Sequence, residues 1–154
     1  MADDLTLRTA RKQDADAIRT LTRMAYAKWV EVTGREPLPM RVDYAQAIAK
    51  HRFDLLYDGS VLAALIETVP DGEYLLIENV AVAPGAQGRG FGKRLLKHAE
   101  ELAASSGLQG TRLYTNKLFV ANLRLYEALG YRVDREEELN GGIAVDMSKA
   151  SAGD

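Results

Sequence analysis

The chain has 154 residues, 47% of them hydrophobic and 27% charged, with a formal net charge of −2 at pH 7. That balance excludes a disordered polyelectrolyte and a basic surface that would recruit nucleic acid or an anionic membrane, and no apolar run reaches the roughly 18 residues of a spanning helix. Cysteine is absent, which excludes disulfides, thiolate metal sites and an acyl-cysteine intermediate.

The length suits a single domain, residues 1–149, able to bury roughly two-thirds of its unfolded surface. Residues 150–154 are small and polar and read as a frayed tail. Met1-Ala2-Asp3-Asp4 opens acidic without a signal-peptide apolar core, so the expected location is the cytoplasm.

In chain order, Leu5-Thr6-Leu7-Arg8-Thr9 alternates as a first strand. Asp14 or Asp16 can cap the helix that follows, whose Ile18, Leu21, Met24 and Ala25 form one apolar stripe ending near Tyr26 and Trp29. Gly34, Pro37 and Pro39 then break the chain, and the stretch from Val32 to Met40 is expected to be mobile. Asp43 to Lys50 reads as a second short helix. Phe53–Tyr57 and Val61–Val69 are strands joined at Asp58-Gly59, a hairpin signal, and a turn at Asp71-Gly72 leads into a strand from Tyr74 to Val82.

The stretch after that strand carries the chemistry. A turn at Ala83-Pro84-Gly85 precedes Gln87-Gly88-Arg89-Gly90-Phe91-Gly92, and Lys93 to Ala103 continues as a helix with Phe91, Leu95, Ala99, Leu102 and Ala103 on one face. The first amides of a helix lack intrahelical acceptors, and the macrodipole places about +0.5 charge there. Glycines remove the Cβ atoms that would keep a phosphate away, and Arg89, Lys93 and Arg94 add positive charge. A Walker A loop would need Ser or Thr after Gly92-Lys93, where Arg94 stands. A dinucleotide fingerprint would need glycine at Lys93. Both readings fail, and the loop resembles the acyl-CoA loop of the GNAT superfamily, in which Gln87, Gly90 and Gly92 fill the pattern.

Downstream, Gly107 ends the long helix, Leu113-Tyr114-Thr115 is a short strand, and residues 121–129 form a helix stopped by Gly130. The run Asn122-Leu123-Arg124-Leu125-Tyr126-Glu127-Ala128-Leu129-Gly130-Tyr131 is similar to the second GNAT motif, in the right order and at the right separation. Tyr131–Leu139 and Ile143–Ser148 make a last hairpin across Asn140-Gly141-Gly142. The tally is about seven strands and four helices, an α/β chain with a mixed, largely antiparallel central sheet flanked by helices, which the GNAT resemblance also implies.

The resemblance implies acetyl-CoA as cosubstrate and an N-acetyltransferase moving acetyl directly to a primary amine, a small molecule being favoured as acceptor. A protein lysine or N-terminal acceptor, or an acyl-CoA-binding regulatory domain without turnover, stays open. An attacking amine needs a proton acceptor, the leaving thiolate needs a donor, and the tetrahedral oxyanion needs dipoles. Tyr126 matches the family's catalytic tyrosine and is the candidate donor. Glu78, a carboxylate on an otherwise apolar strand, is the candidate base; Glu67, Asp71, Glu73 or the run Glu136-Glu137-Glu138 could serve in its place. A bulge on the Glu78 strand would free the amides of Val80, Ala81 and Val82 for the pantetheine and the thioester oxygen. The amides from Gln87 through Gly88, Arg89, Gly90, Phe91, Gly92 and Lys93 would take the diphosphate, and Asn122 would bond the pantetheine.

Tyr26 and Trp29 are candidate acceptor-wall residues, and with Met40 and Tyr44 read equally well as core. His51 and His98 lack the carboxylate spacing of a metal site, so no metal is expected. The Asp134–Glu138 run reads as a solvated strand edge. The last hairpin is a candidate homodimer contact.

Overall fold

The computed structural model describes residues 4–139 and 141–151. They form, in order, β1 (Leu5–Thr9), α1 (Ala15–Thr33), α2 (Tyr44–Lys50), β2 (Arg52–Asp58), β3 (Val61–Asp71), β4 (Tyr74–Val82), α3 (Phe91–Ser105), β5 (Gly110–Asn116), α4 (Val120–Ala128), β6 (Arg132–Leu139) and β7 (Gly142–Ala150). The strands make one sheet in the order β1-β2-β3-β4-β5-β7-β6. Pairing is antiparallel for β1–β2, β2–β3, β5–β7 and β6–β7, and parallel for β4–β5. The expected mixed, largely antiparallel sheet with four helices is the observed one. Asn140 of the expected last turn and residues 152–154 of the expected tail lie outside the described residues. Ala150 closes β7, and the Ser151 amide and hydroxyl donate to the Gln109 and Leu108 carbonyls at 2.8 and 3.1 Å.

The chain folds as two compact units. One holds the chain up to Thr68 together with Asn79–Leu96; the other holds Val69–Glu78 and the chain from Lys97 on. In the first, Ile18, Leu21 and Ala25 of α1 pack with Tyr44 of α2, Phe53 and Leu55 of β2, Leu65 of β3 and Ala81 of β4. Spacings of three and four put the α1 residues on one stripe, which is why this sequence is a helix here. Hiding Ile18, Phe53, Leu55 and Leu65 completely stabilises the unit by about 1.5–3 kcal/mol per side chain. Gly34, at φ 77°, ends α1, and its amide returns to the Val30 carbonyl.

Two local expectations need correction in this unit. Asp14 does not cap α1 with its side chain. Its carboxylate takes the Arg8 guanidinium at 2.8 and 2.9 Å and the Arg11 amide at 2.7 Å, because a two-pronged charged pair outcompetes a neutral cap. The breaker-rich stretch before α2 is tied down: Arg23 donates to the Met40 carbonyl at 2.8 Å and to Glu36 at 2.9 Å, and the Tyr44 hydroxyl donates to the Pro39 carbonyl at 2.6 Å.

In the second unit β5 is longer than its apolar centre suggests, pairing with β7 from Gly110↔Ala150 to Asn116↔Ala144. Gly110 is required by that approach, since a Cβ there would lie 2.2 Å from the Lys149 carbonyl oxygen. The parallel β4–β5 ladder consists of Tyr74↔Gly110, Leu75↔Thr111 and Leu76↔Arg112 among the described residues. From Ile77 onward β4 runs without that ladder to Val82.

Candidate active site

The loop after β4 turns the chain into α3 through open, glycine-rich backbone. Ala83 donates its amide to the Ala63 carbonyl at 2.8 Å and a 3-10 turn spans Pro84–Ala86. The Gln87 carboxamide then reaches back to the Val82 carbonyl at 3.3 Å, so the loop's glutamine braces its own base. Gly88 and Gly90 lie at φ 83° and 81°, a region that side-chain-bearing residues avoid, and a Cβ at either would meet nothing within 4 Å. Their surroundings are open space. Gly92 differs: it sits in the first turn of α3, and a Cβ there would touch the Val82 side chain at an ordinary 3.8 Å.

The first i→i−4 bond of α3 runs from the Arg94 amide to the Gly90 carbonyl at 3.1 Å. The amides of Phe91, Gly92 and Lys93 precede it and have no intrahelical acceptor. Phe91 is buried and anchors the turn. The Arg89 guanidinium lies 4.6 Å over the Phe91 ring and 2.8 Å from the Asp58 carboxylate. Lys93 and Arg94 are exposed. An open glycine face, unpaired amides and nearby cations fit a diphosphate.

Glu78 and Asn79 occupy opposite faces of β4. Burial alternates along the strand, with Glu78 half-buried beside Leu76 and Val80, and Asn79 hidden with Ile77 and Ala81. Several of the other carboxylates considered as bases have side-chain partners. Glu67 meets His51 Nδ1 at 2.6 Å, Asp71 takes Arg112 at 2.6 Å, and Glu136 takes Lys117 at 2.9 Å. Arg135 bridges Asp146 at 2.7 Å and Glu137 at 3.7 Å, so much of the acidic run on β6 is neutralised locally.

Tyr126 projects from α4, buried, with Asn122 half-buried one turn earlier. Its ring packs on Tyr131 at 6.0 Å between centroids. Tyr131 in turn shares a 2.8 Å hydrogen bond with Thr111 and donates to Glu100 at 3.3 Å, and Lys149 holds Glu100 at 2.9 Å. Burial pushes the Tyr126 phenol up to about 12, and burial likewise raises Tyr131. The tyrosine therefore keeps its proton at any working pH.

Tyr26 packs against the α1–β2–β3–β4 cluster, and its hydroxyl donates to Asn79 Oδ1 at 2.7 Å. Trp29 is half-buried, with the Lys28 ammonium 5.1 Å over its ring. Tyr26, Trp29, Val80–Val82 and Gln87–Lys93 thus fall in the first unit, and Glu78, Asn122 and Tyr126 in the second. The sequence reading missed the Asp58 partner of Arg89, the Tyr131 support of Tyr126 and the link from Tyr26 to Asn79. Only the last left a signal, a carboxamide out of pattern on an apolar strand face.

The sequence profile of the acetyltransferase (GNAT) family matches residues 16–131. The chain belongs to the GNAT family. The mycothiol acetyltransferase of Beutenbergia cavernae is 35% identical over 74 residues, 48% of this GNAT chain and 25% of that protein. The chain therefore spans about a quarter of that relative's length. Among solved structures, the ribosomal-protein-S18-alanine N-acetyltransferase of Escherichia coli superposes with a TM-score of 0.79 at 19% identity, covering 97% of this chain and 96% of that one. The PaiA N-acetyltransferase of Thermoplasma acidophilum, solved in complex with coenzyme A, gives 0.81 at 19% identity, covering 97% and 99%. At that identity these two likenesses establish the fold. Among the described residues no group of three or more His, Asp or Glu side chains is placed to hold a metal ion, and no helix is long and apolar enough to cross a membrane.

Proposed function

We propose that this GNAT chain, residues 1–149 acting as one catalytic domain, transfers acetyl from acetyl-CoA directly to a primary amine of a small molecule. The observation that carries the reading is the Gln87–Lys93 loop, where Gly88 and Gly90 take left-handed backbone beside the unpaired first amides of α3. A diphosphate bound there would be held by main-chain N–H groups, with Lys93 adding charge. Val80, Ala81 and Val82 offer strand amides for the pantetheine and the thioester oxygen, and Asn122 a carboxamide for the pantetheine.

In the reaction the amine nitrogen attacks the thioester carbon, a C–N bond forms, the C–S bond breaks, and one proton leaves the nitrogen. Glu78 takes that proton, directly or through one water. Its half-buried position and the absence of an ion-pair partner among the described residues support this role over Glu67 or Asp71. Tyr126 donates its O–H to the departing sulfur. Because the phenol titrates near 12, roughly three units above an ordinary thiol, it stabilises the thiolate by hydrogen bonding rather than by giving its proton away completely. Without cysteine, no thiol of this chain can carry the acetyl group.

Thiol release from acetyl-CoA, measured across small amines, polyamines, amino acids and peptides with free lysines or N-termini, tests the reading. Amine-dependent release with a small acceptor is expected. Release with peptides alone would move the acceptor to proteins, and CoA binding without release for any amine would make the chain a binding domain.

A further inference from the structure

Asn79 is the odd residue on the hidden face of β4. Its neighbours on that face are Leu75, Ile77 and Ala81, and it is 4% exposed. One arm of the carboxamide is used, since Oδ1 accepts the Tyr26 hydroxyl at 2.7 Å. The other arm, Nδ2, is buried and has no partner among the described residues. A buried donor left unpaired weakens the fold, and leucine in its place would avoid that loss. What the structure gives the carboxamide is its bonded arm, the Oδ1 that holds Tyr26. The same Tyr26 hydroxyl lies 3.4 Å from the Val80 carbonyl, and the Tyr26 ring packs on the cluster that contains Ala81. One phenol thus reaches two successive residues of the strand, Asn79 and Val80, and its single O–H is committed inside the protein.

The strand has β3 on one side, and just past Val82 the Ala83 amide donates to the Ala63 carbonyl. Its ladder with β5 stops at Leu76↔Arg112, so Val80–Val82 lack those bonds. An amide that receives a thioester oxygen acts only if its position is fixed beforehand. We propose that Tyr26 and Asn79 are a positioning pair that sets the β4 backbone at Val80–Val82 for the thioester, and that Tyr26 serves the reaction through this strand and not as a contact for the amine. The inference rests on the acetyltransferase reading for the identity of the bound group.

Two conservative variants test it. Tyr26→Phe keeps the ring and removes the O–H; Asn79→Leu keeps the volume and removes both arms. Backbone hydrogen exchange in peptides covering residues 77–83 should quicken about tenfold in each, with the rest of the chain unchanged. Affinity for acetyl-CoA should fall about five- to tenfold further than affinity for CoA itself, because both present a pantetheine to these amides while only acetyl-CoA adds the thioester oxygen. In turnover, kcat should drop roughly tenfold or more at an amine KM within about twofold of wild type, and the double variant should be no worse than either single one. A raised amine KM at unchanged kcat would return Tyr26 to the acceptor wall and overturn the proposal. Wild-type exchange and a wild-type acetyl-CoA to CoA ratio in both variants would overturn it as well. If wild type itself turned over no amine, the acetyltransferase reading would fail, while the exchange measurement would still decide the pair.

Discussion

The Tyr126 hydroxyl belongs to a ring almost wholly hidden against Tyr131, and that burial sets its pH behaviour. With the phenol at about 12, ionisation of Tyr126 contributes no basic limb to a rate profile between pH 6 and about 10. Tyr126→Phe should lower kcat by about two orders of magnitude, uniformly across that range, with CoA affinity intact by calorimetry. Glu78→Gln should act differently. A base must be ionised to work, so its share of the rate fades as pH falls; the variant should be slow everywhere and should lose the acid limb of kcat/KM. A limb that persists unshifted would hand the role to another carboxylate. Asp14 concerns stability and not turnover. The Arg8 guanidinium holds its carboxyl at about 2, below the ordinary 3.8. Stability from the pair is thus complete above about pH 4 and lost as pH falls from there toward 2. Asp14→Asn should unfold earlier in urea by about 1–2 kcal/mol at pH 7, the half-exposed guanidinium limiting the effect, and should show less acid sensitivity in that window.

At the scale of elements, the proposed cosubstrate loop depends on backbone that glycine alone adopts cheaply. Gly90→Val should weaken CoA binding at least tenfold, both by straining a left-handed position and by placing a branched side chain where a Cβ now meets open space. Undiminished affinity would show the diphosphate to be held elsewhere. This loop, with β4 from Tyr74 to Val82, was legible in the sequence because its signals are local: glycine spacing, a strand before and a helix after. Strand β5 was harder. Gly110, Thr111 and Arg112 look like loop residues until β7 lies beside them. The stretch before α2 reads as mobile because its restraint comes from Arg23, 17 residues before Met40 in the chain. Asp14 carried a genuine helix-start signal, and Arg8 claimed it first.

For the whole molecule, composition and motif order supported the family, and the match over residues 16–131 established it. The acceptor was not legible, because sequence pattern reports local motifs such as the glycine loop and says little about side chains that meet across long sequence separations. Kinetics can address the molecule as a unit. With no cysteine to accept the acetyl group, initial rates at varied acetyl-CoA and amine should give intersecting reciprocal lines; parallel lines would indicate a covalent acetyl-enzyme carried by some other residue.

The contact between Arg89 and Asp58 bears on how cosubstrate affinity is built. The guanidinium beside the glycine loop is already neutralised by a carboxylate on the β2–β3 hairpin, so an arriving phosphate that captured it would swap one anion for another. The electrostatic return from this arginine is then a difference between two partners, small in size, and recognition falls to immobile peptide dipoles that added salt screens poorly. Affinity for CoA should accordingly decline with ionic strength more gently than a count of nearby cations would suggest.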